Sequence, residues 1–524
     1  MDPLAALPAE VVLRILLFAS FGSIASLTRS SRSWCNFIDF THQDAIYAAK
    51  APGTTGAMKL REPGQYLNGL ESFTRYGEGV ESWKEACRRR ILLEKSWSDE
   101  RPSPKETVIQ VGTSPIWRFR PDFKRRFIVS TSHAGGLNVT DMDSGDLLWS
   151  LPRDEVRRFA HLEYQDGTAV WDRFRNTLEV WKTDLPGLAR GHFRQVALLP
   201  HDVITRGFQL SYNTLCVVSS EGEGFVYDFL PHPEKPRLRK RVEIEDGAVG
   251  HLDQDTDAVM YSIGTHDYHI HDKTSGDPLG HIHPHMVKPS AIYHIRHPQP
   301  DLADEDEYMS LLPDSTRYLL ARMVPELGLS CLPIHPGLFF YDDSEALPDI
   351  TPLERDEWGA GMLNGKTMVG VSRGGRLVIC ADWPQALRSE EDFASVTSIV
   401  ECDPGGDSFD LGGWLHIHDT VGGKRIIFEV KDSVYILSLD GEGRLDVNRP
   451  ALSVPTCSTP ELAVPVSFMG IYDDCIMSTF TTLGTDPVDE TSDDDDSDAA
   501  ENGRALARHF PTKAIRAISF APEI

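Results

Sequence analysis

A chain of 524 residues with 40 % hydrophobic and 9 % aromatic content is long enough for two or more domains and supports a large core. Its 52 basic against 79 acidic side chains give a formal charge of −27, which argues against general nucleic-acid binding, because a phosphate backbone needs a basic surface. No apolar run approaches the ~18 residues of a membrane span, and eight scattered cysteines without a Cys-x-x-Cys pair point to a reducing compartment, cytosol or nucleus.

The chain opens on a run that cannot finish its own fold. Pro8 suits a first helical turn, and Glu10 in that turn suits the positive end of the helix dipole. From Val11 to Phe21 the only charged side chain is Arg14, so apolar residues cover the whole circumference of the expected helix. Gly22 is expected to end it, and Ile24, Leu27, Trp34, Phe37 and Ile38 supply two further short helices. A segment of ~40 residues is too small to bury such a set alone and calls for a partner.

The order Leu7-Pro8-x-Glu10, Ile15-Leu16, Leu27, Arg32-x-Trp34 resembles an F-box over residues 4 to 39. The proline-containing, often acidic turn of that family is replaced here by Ser20-Phe21-Gly22-Ser23. The resemblance implies a small all-α module, residues 1–40, that docks on a Skp-family adaptor and through it on a cullin. Leu7, Pro8, Val11, Val12, Ile15, Leu16, Ile24, Leu27 and Trp34 would make the contact. A secretory signal is not expected, since no basic region precedes the apolar run.

Residues 41–105 read as a linker, Gly- and Pro-rich from Ala51 to Gly79, with a short helix around Tyr66 to Phe73. A longer helix is predicted over 82–97, with Trp83, Cys87, Ile91 and Glu94 or Lys95 on one face and Arg88, Arg89 and Arg90 spread around it. It resembles the connecting helix that precedes the propeller in F-box proteins with WD repeats.

From about residue 106 to 524 short hairpins recur every ~40–60 residues, the period of four-stranded propeller blades. Hairpins are expected at 127/136, 168/177, 215/224, 258/268, 317/338, 368/376 and 426/434, and an eighth if Cys475–Phe480 pairs with Ala514–Phe520 across an insert. The fold class is therefore an all-β propeller of seven or eight blades after a small all-α module. The stretches from Asn138 and His269 resemble degenerate WD repeats, with Asp141 and Asp272 at the Asp of the dipeptide and Gly145 and Gly276 in the following turn. The first also resembles a quinoprotein tryptophan-docking turn, which would imply a secreted propeller enzyme.

Asp486 to Glu501 holds nine acidic and no basic residues, and a region of about 485–503 reads as a disordered insert between strands. His281-Ile-His-Pro-His285 sets three imidazoles on one side of an extended segment, but the proline and the absence of a local Cys or acidic cluster make it read as a solvated loop, so no metal site is expected. No nucleophile elbow or phosphate-cradling glycine loop is present, and neither catalysis nor a cofactor is expected. Turns 172–176 and 372–376 offer Arg173, Arg175, Arg373 and Arg376 to an acidic or phosphorylated segment of an unidentified target. Together these features predict a non-catalytic, cytoplasmic or nuclear substrate-recognition subunit of an SCF-type ubiquitin ligase, or an F-box protein of a Skp complex without ubiquitin transfer.

Overall fold

The computed structural model describes residues 3–51, 63, 67, 70–98, 104–112, 114–174, 176–244, 250–262, 267–296, 330–333, 353, 356–402, 414–420, 422–430, 433–449, 451–455, 468–480 and 514–523. They fall into two compact units, one of residues 1–105 with 472–475 and 519–524, the other of residues 106–471 with 476–518.

The first unit is helical. Helix α1 (Ala9–Phe18) starts at Pro8, and α2 (Phe21–Ser30) is capped by Ser20, whose Oγ accepts from the Ser23 amide at 3.0 Å. That cap sets the boundary: α1 ends at Phe18, and Gly22, expected to terminate it, lies inside α2 because a serine three residues ahead of a free amide nucleates the next helix. Helix α3 (Gln43–Ala48) follows two short turns, and α4 (Trp83–Trp97) is capped by Ser82 on the Glu85 amide. Val12, Leu16, Ile24, Ile38, Ile46, Tyr47, Trp83 and Cys87 form the core.

The buried face of α4 is Trp83, Ala86, Cys87, Leu93 and Trp97, whereas Ile91 is exposed. The shift follows from charge. Arg90 enters the buried side because it meets Asp473 at 2.7 Å and Glu94 at 3.5 Å, and Arg89 donates to the carbonyls of Tyr76 and Glu78. Residues 71–73, expected at the end of a helix, are irregular chain wrapped on the fully buried Asp474. Its carboxylate accepts from Ser72 Oγ, the amides of Phe73 and Thr74, and Thr74 Oγ1. Trp97 donates to the Asp473 carbonyl and stacks on Phe520 at 3.8 Å.

The second unit is a seven-bladed β-propeller. Its described strands form seven sheets, at residues 116–151, 162–200, 205–243, 251–282, 358–401, 415–455 and a last one built from Met469–Ile471, Cys475–Phe480, Ala514–Ser519 and Lys105–Gln110. The first strands of successive sheets lie side by side, which arranges the blades radially around a channel. Phe468 meets Phe119 edge-on at 5.0 Å and brings blade 7 to blade 1. Between blades the packing is tight: a Cβ on Gly370 would stand 2.3 Å from Tyr268 Oη, so only glycine admits that ring.

The count is seven because the pair at 475/514 belongs to the last blade, while the pair at 317/338 lies outside the described residues. Strands Cys475–Phe480 and Ala514–Ser519 are hydrogen-bonded neighbours, and the acidic run between them is also outside the described residues. Blade 5 carries two additional strands, Ile292–Arg296, parallel to Thr397–Glu401, and Ser330–Pro333, antiparallel to Ile292–Arg296. The two WD-like turns share one geometry: Asp141 Oδ1 accepts from the amides of Asp143 and Ser144, Asp272 Oδ1 from those of Thr274 and Ser275, and Gly145 and Gly276 sit at φ of 78° and 79°. No helix among the described residues is long and apolar enough to cross a membrane.

Candidate functional site

The nine residues of the expected adaptor contact divide by position on α1 and α2. Val12, Leu16 and Ile24 are buried in the core of the helical unit, Leu27 and Trp34 are half-buried against it, and Leu7, Pro8, Val11 and Ile15 face solvent. At 100° per residue, Val11, Ile15 and Phe18 of α1 fall within an arc of about 60°, turned about 110° from the buried pair Val12 and Leu16, and Leu7 lies just ahead of the helix, before Pro8. The exposures of Leu7, Val11, Ile15 and Phe18 are 39, 44, 55 and 87 %, so α1 presents an apolar stripe away from its own core. Phe18 escapes the sequence reading, because an unbroken apolar run gives no facing.

The four arginines part in the same way. Arg376 starts a strand, is buried, and pairs with Asp356 at 2.6 Å and Glu401 at 3.0 Å. It is a structural ion pair, not part of a crown, because the turn ends one residue earlier than expected. Arg173 and Arg373 stay partly exposed beside Glu179 and Glu357, and Arg175 is outside the described residues. Turns 172–176 and 372–376 each join the second and third strands of a blade, so both rise on one face of the ring.

That same face carries the starting ends of the first strands, and there a polar cluster lies between neighbouring blades. Period-two alternation turns Arg118 and Arg120 away from buried Phe119, His161 and Glu163 away from Leu162, and His251 and Asp253 away from Leu252. Arg120 pairs with Glu163 at 2.6 Å, and His161 Nε2 lies 3.0 Å from the same oxygen. The Arg118 guanidinium lies 4.2 Å from the Trp414 ring, 5.4 Å from Phe468 and 5.5 Å from Trp117. Among the described residues it makes no hydrogen bond or ion pair.

Burial decides the charge states. It pushes His161 and His251 down to about 4 and His416 to about 3, so all three imidazoles are neutral at pH 7. Burial also pushes Asp253 up to about 8, although its carboxyl accepts from the Leu363 amide. Glu163, which burial alone would raise, is held below its ordinary value by Arg120 and His161. Arg118 is lowered to about 9 by burial and by Arg120, and stays protonated. The cluster therefore carries two positive charges against one negative, in a chain of charge −27. A signal for it is present in the sequence: His-Leu-Glu, His-Leu-Asp and His-Ile-His recur where blades begin.

The chain matches no protein-family model, and no curated protein matches it. Among solved structures it is similar to the WD40 repeats of RRP9, at 9 % identity and a TM-score of 0.44 over 80 % of this chain and 99 % of that one. It is similar to U3-55K at 9 % identity and TM-score 0.43, covering 80 % and 100 %, and to Saccharomyces cerevisiae Sqt1 at 8 % and 0.42, covering 73 % and 83 %. At that distance the likenesses add nothing to the fold that the seven sheets define. The class is a seven-bladed β-propeller accompanied by a helical N-terminal unit.

Proposed function

We propose that this chain is a non-catalytic substrate-recognition subunit of an SCF-type ubiquitin ligase, docking through its helical unit on a Skp-family adaptor while the propeller holds the target. The single observation that supports it is the exposed apolar set of Leu7, just before α1, and Val11, Ile15 and Phe18 on it, solvent-facing on a helix whose Val12 and Leu16 already fill the unit's own core. Together with the F-box-like order of anchors, this is a surface in want of a protein partner. On the propeller, the surplus charge at Arg118 favours an acidic segment of the target on the face that carries the cluster.

Capture from cell extract tests it. Ile15→Asp places its charge in solvent in the free chain but in a closed apolar interface in the complex. Recovery of the adaptor should fall ~100-fold, equivalent to about 3 kcal/mol, with the propeller's melting transition unchanged. Cullin recovered with the adaptor supports ubiquitin transfer, and adaptor without cullin supports a Skp complex of another kind. Undiminished capture by the variant removes the docking assignment.

A further inference from the structure

Six of the chain's 19 histidines fall between residues 266 and 285, and His269, His271 and His281 lie on the last two strands of the fourth blade. The strand register there is explicit: Tyr268–Asp272 pairs antiparallel with Pro278–Ile282, His269 standing opposite His281 and Tyr268 opposite Ile282. Continuing that register one step sets Asp267 opposite His283. Because successive side chains of a strand point to opposite faces, Asp267, His269, His281 and His283 share one face of the sheet. Tyr268, Ile270 and Ile282, between them, are buried in the core on the other. The fold thus supplies the acidic neighbour that the sequence around His281 lacks.

The donor atoms converge. His283 Nδ1 lies 2.6 Å from Asp267 Oδ1, His281 Nδ1 lies 3.9 Å from Asp267 Oδ2, and the three groups keep their ligand atoms within 4.8 Å of one another. A zinc tetrahedron with bonds of ~2.0–2.1 Å has edges of about 3.4 Å, which these separations straddle. Asp267 Oδ1 is shielded from solvent, with the His283 ring nitrogen at 2.6 Å as its close neighbour in the metal-free chain. Imidazole nitrogen and carboxylate oxygen therefore face a common point, where an ion can take the place of the proton between them. The His269 ring stacks on His281 at 3.8 Å and fixes its plane, and the His285 ring stands 5.6 Å from that of His283. Side-chain exposures of 33 % and 36 % at His281 and His283 leave a path for an ion from solvent.

We propose that Asp267, His281 and His283 form a binding site for one zinc ion, with the remaining coordination position open to water. Two imidazoles and a carboxylate are the donor set of open zinc sites, and thiolate is not required. The ion ties the segment entering one strand to the segment leaving its neighbour, so its effect is local to the outer half of blade 4.

The full-length chain, stripped with a chelator and dialysed, is titrated with zinc chloride by calorimetry and with cobalt(II) by visible absorption. One zinc per chain, a cobalt adduct with d–d bands of four- or five-coordinate geometry, and a raised melting temperature are expected. Asp267→Asn and His283→Gln should each weaken binding by more than the ~10–100-fold typical of an outer-sphere group. Both are near-isosteric, and an unshifted metal-free melting transition shows that the variants fold. Absence of a stoichiometric zinc, or a double Asp267→Asn, His283→Gln variant that folds and binds zinc as the parent does, overturns the site.

Discussion

Asp253 lies on the first strand of blade 4 with its carboxyl buried against the Leu363 amide of blade 5, and burial holds its proton to about pH 8. In the unfolded chain an aspartic acid titrates near ~3.9, so the folded state binds the proton more tightly. This contribution to stability is fully present below the unfolded value and is lost progressively as pH rises towards about 8. Asp253→Asn keeps an acceptor for the Leu363 amide without the charge, and it should raise the melting temperature at pH 8–9 and change it little at pH 4. An unaltered pH profile of melting would count against the buried neutral carboxyl. Arg376 makes the opposite case. Arg376→Ala leaves Asp356 and Glu401 without their cation and should cost about 3–5 kcal/mol in denaturant unfolding. Its type and position are legible in the sequence, but its burial is not, because Ser372 to Arg376 reads as one polar turn until the strand register starts at Arg376 itself.

Elements with a strong local code are readable: the Ser82 cap and the length of α4, the glycine turns after Asp141 and Asp272, and the hairpins of six blades. Facing is less so. Hydrophobicity places Ile91 on the inner side of α4, but Arg90 occupies the buried side because Asp473, distant in sequence, neutralises it. Periodicity counts apolar residues and cannot see a partner 383 positions away. The same turn offers a test. Asp474 satisfies four donors from residues 72–74, so Asp474→Ala leaves buried amides and hydroxyls unpaired and should destabilise the helical unit by ~3 kcal/mol or more. Arg88→Ala, on an exposed side chain beside Glu85, should cost less than about 1 kcal/mol, and equal losses would contradict the role given to Asp474.

At the scale of the whole molecule, the last blade draws its strands from both ends of the chain, with Lys105–Gln110 beside Ala514–Ser519. Such closure leaves no open edge between first and last blades. Removing residues 512–524 strips a central strand from that sheet and should abolish the cooperative melting transition, whereas deleting 486–501 should leave it in place. An intact transition after the first deletion would refute the closure. The repeat period makes the propeller legible, but the number of blades depends on recognising that a strand before the first hairpin completes the last sheet. The proposed adaptor role is tested by calorimetric titration of the full-length chain with a purified Skp-family adaptor. A one-to-one complex is expected with the parent chain and none at the same concentrations with Ile15→Asp; equal affinity for both, or no binding to the parent, would contradict the adaptor role.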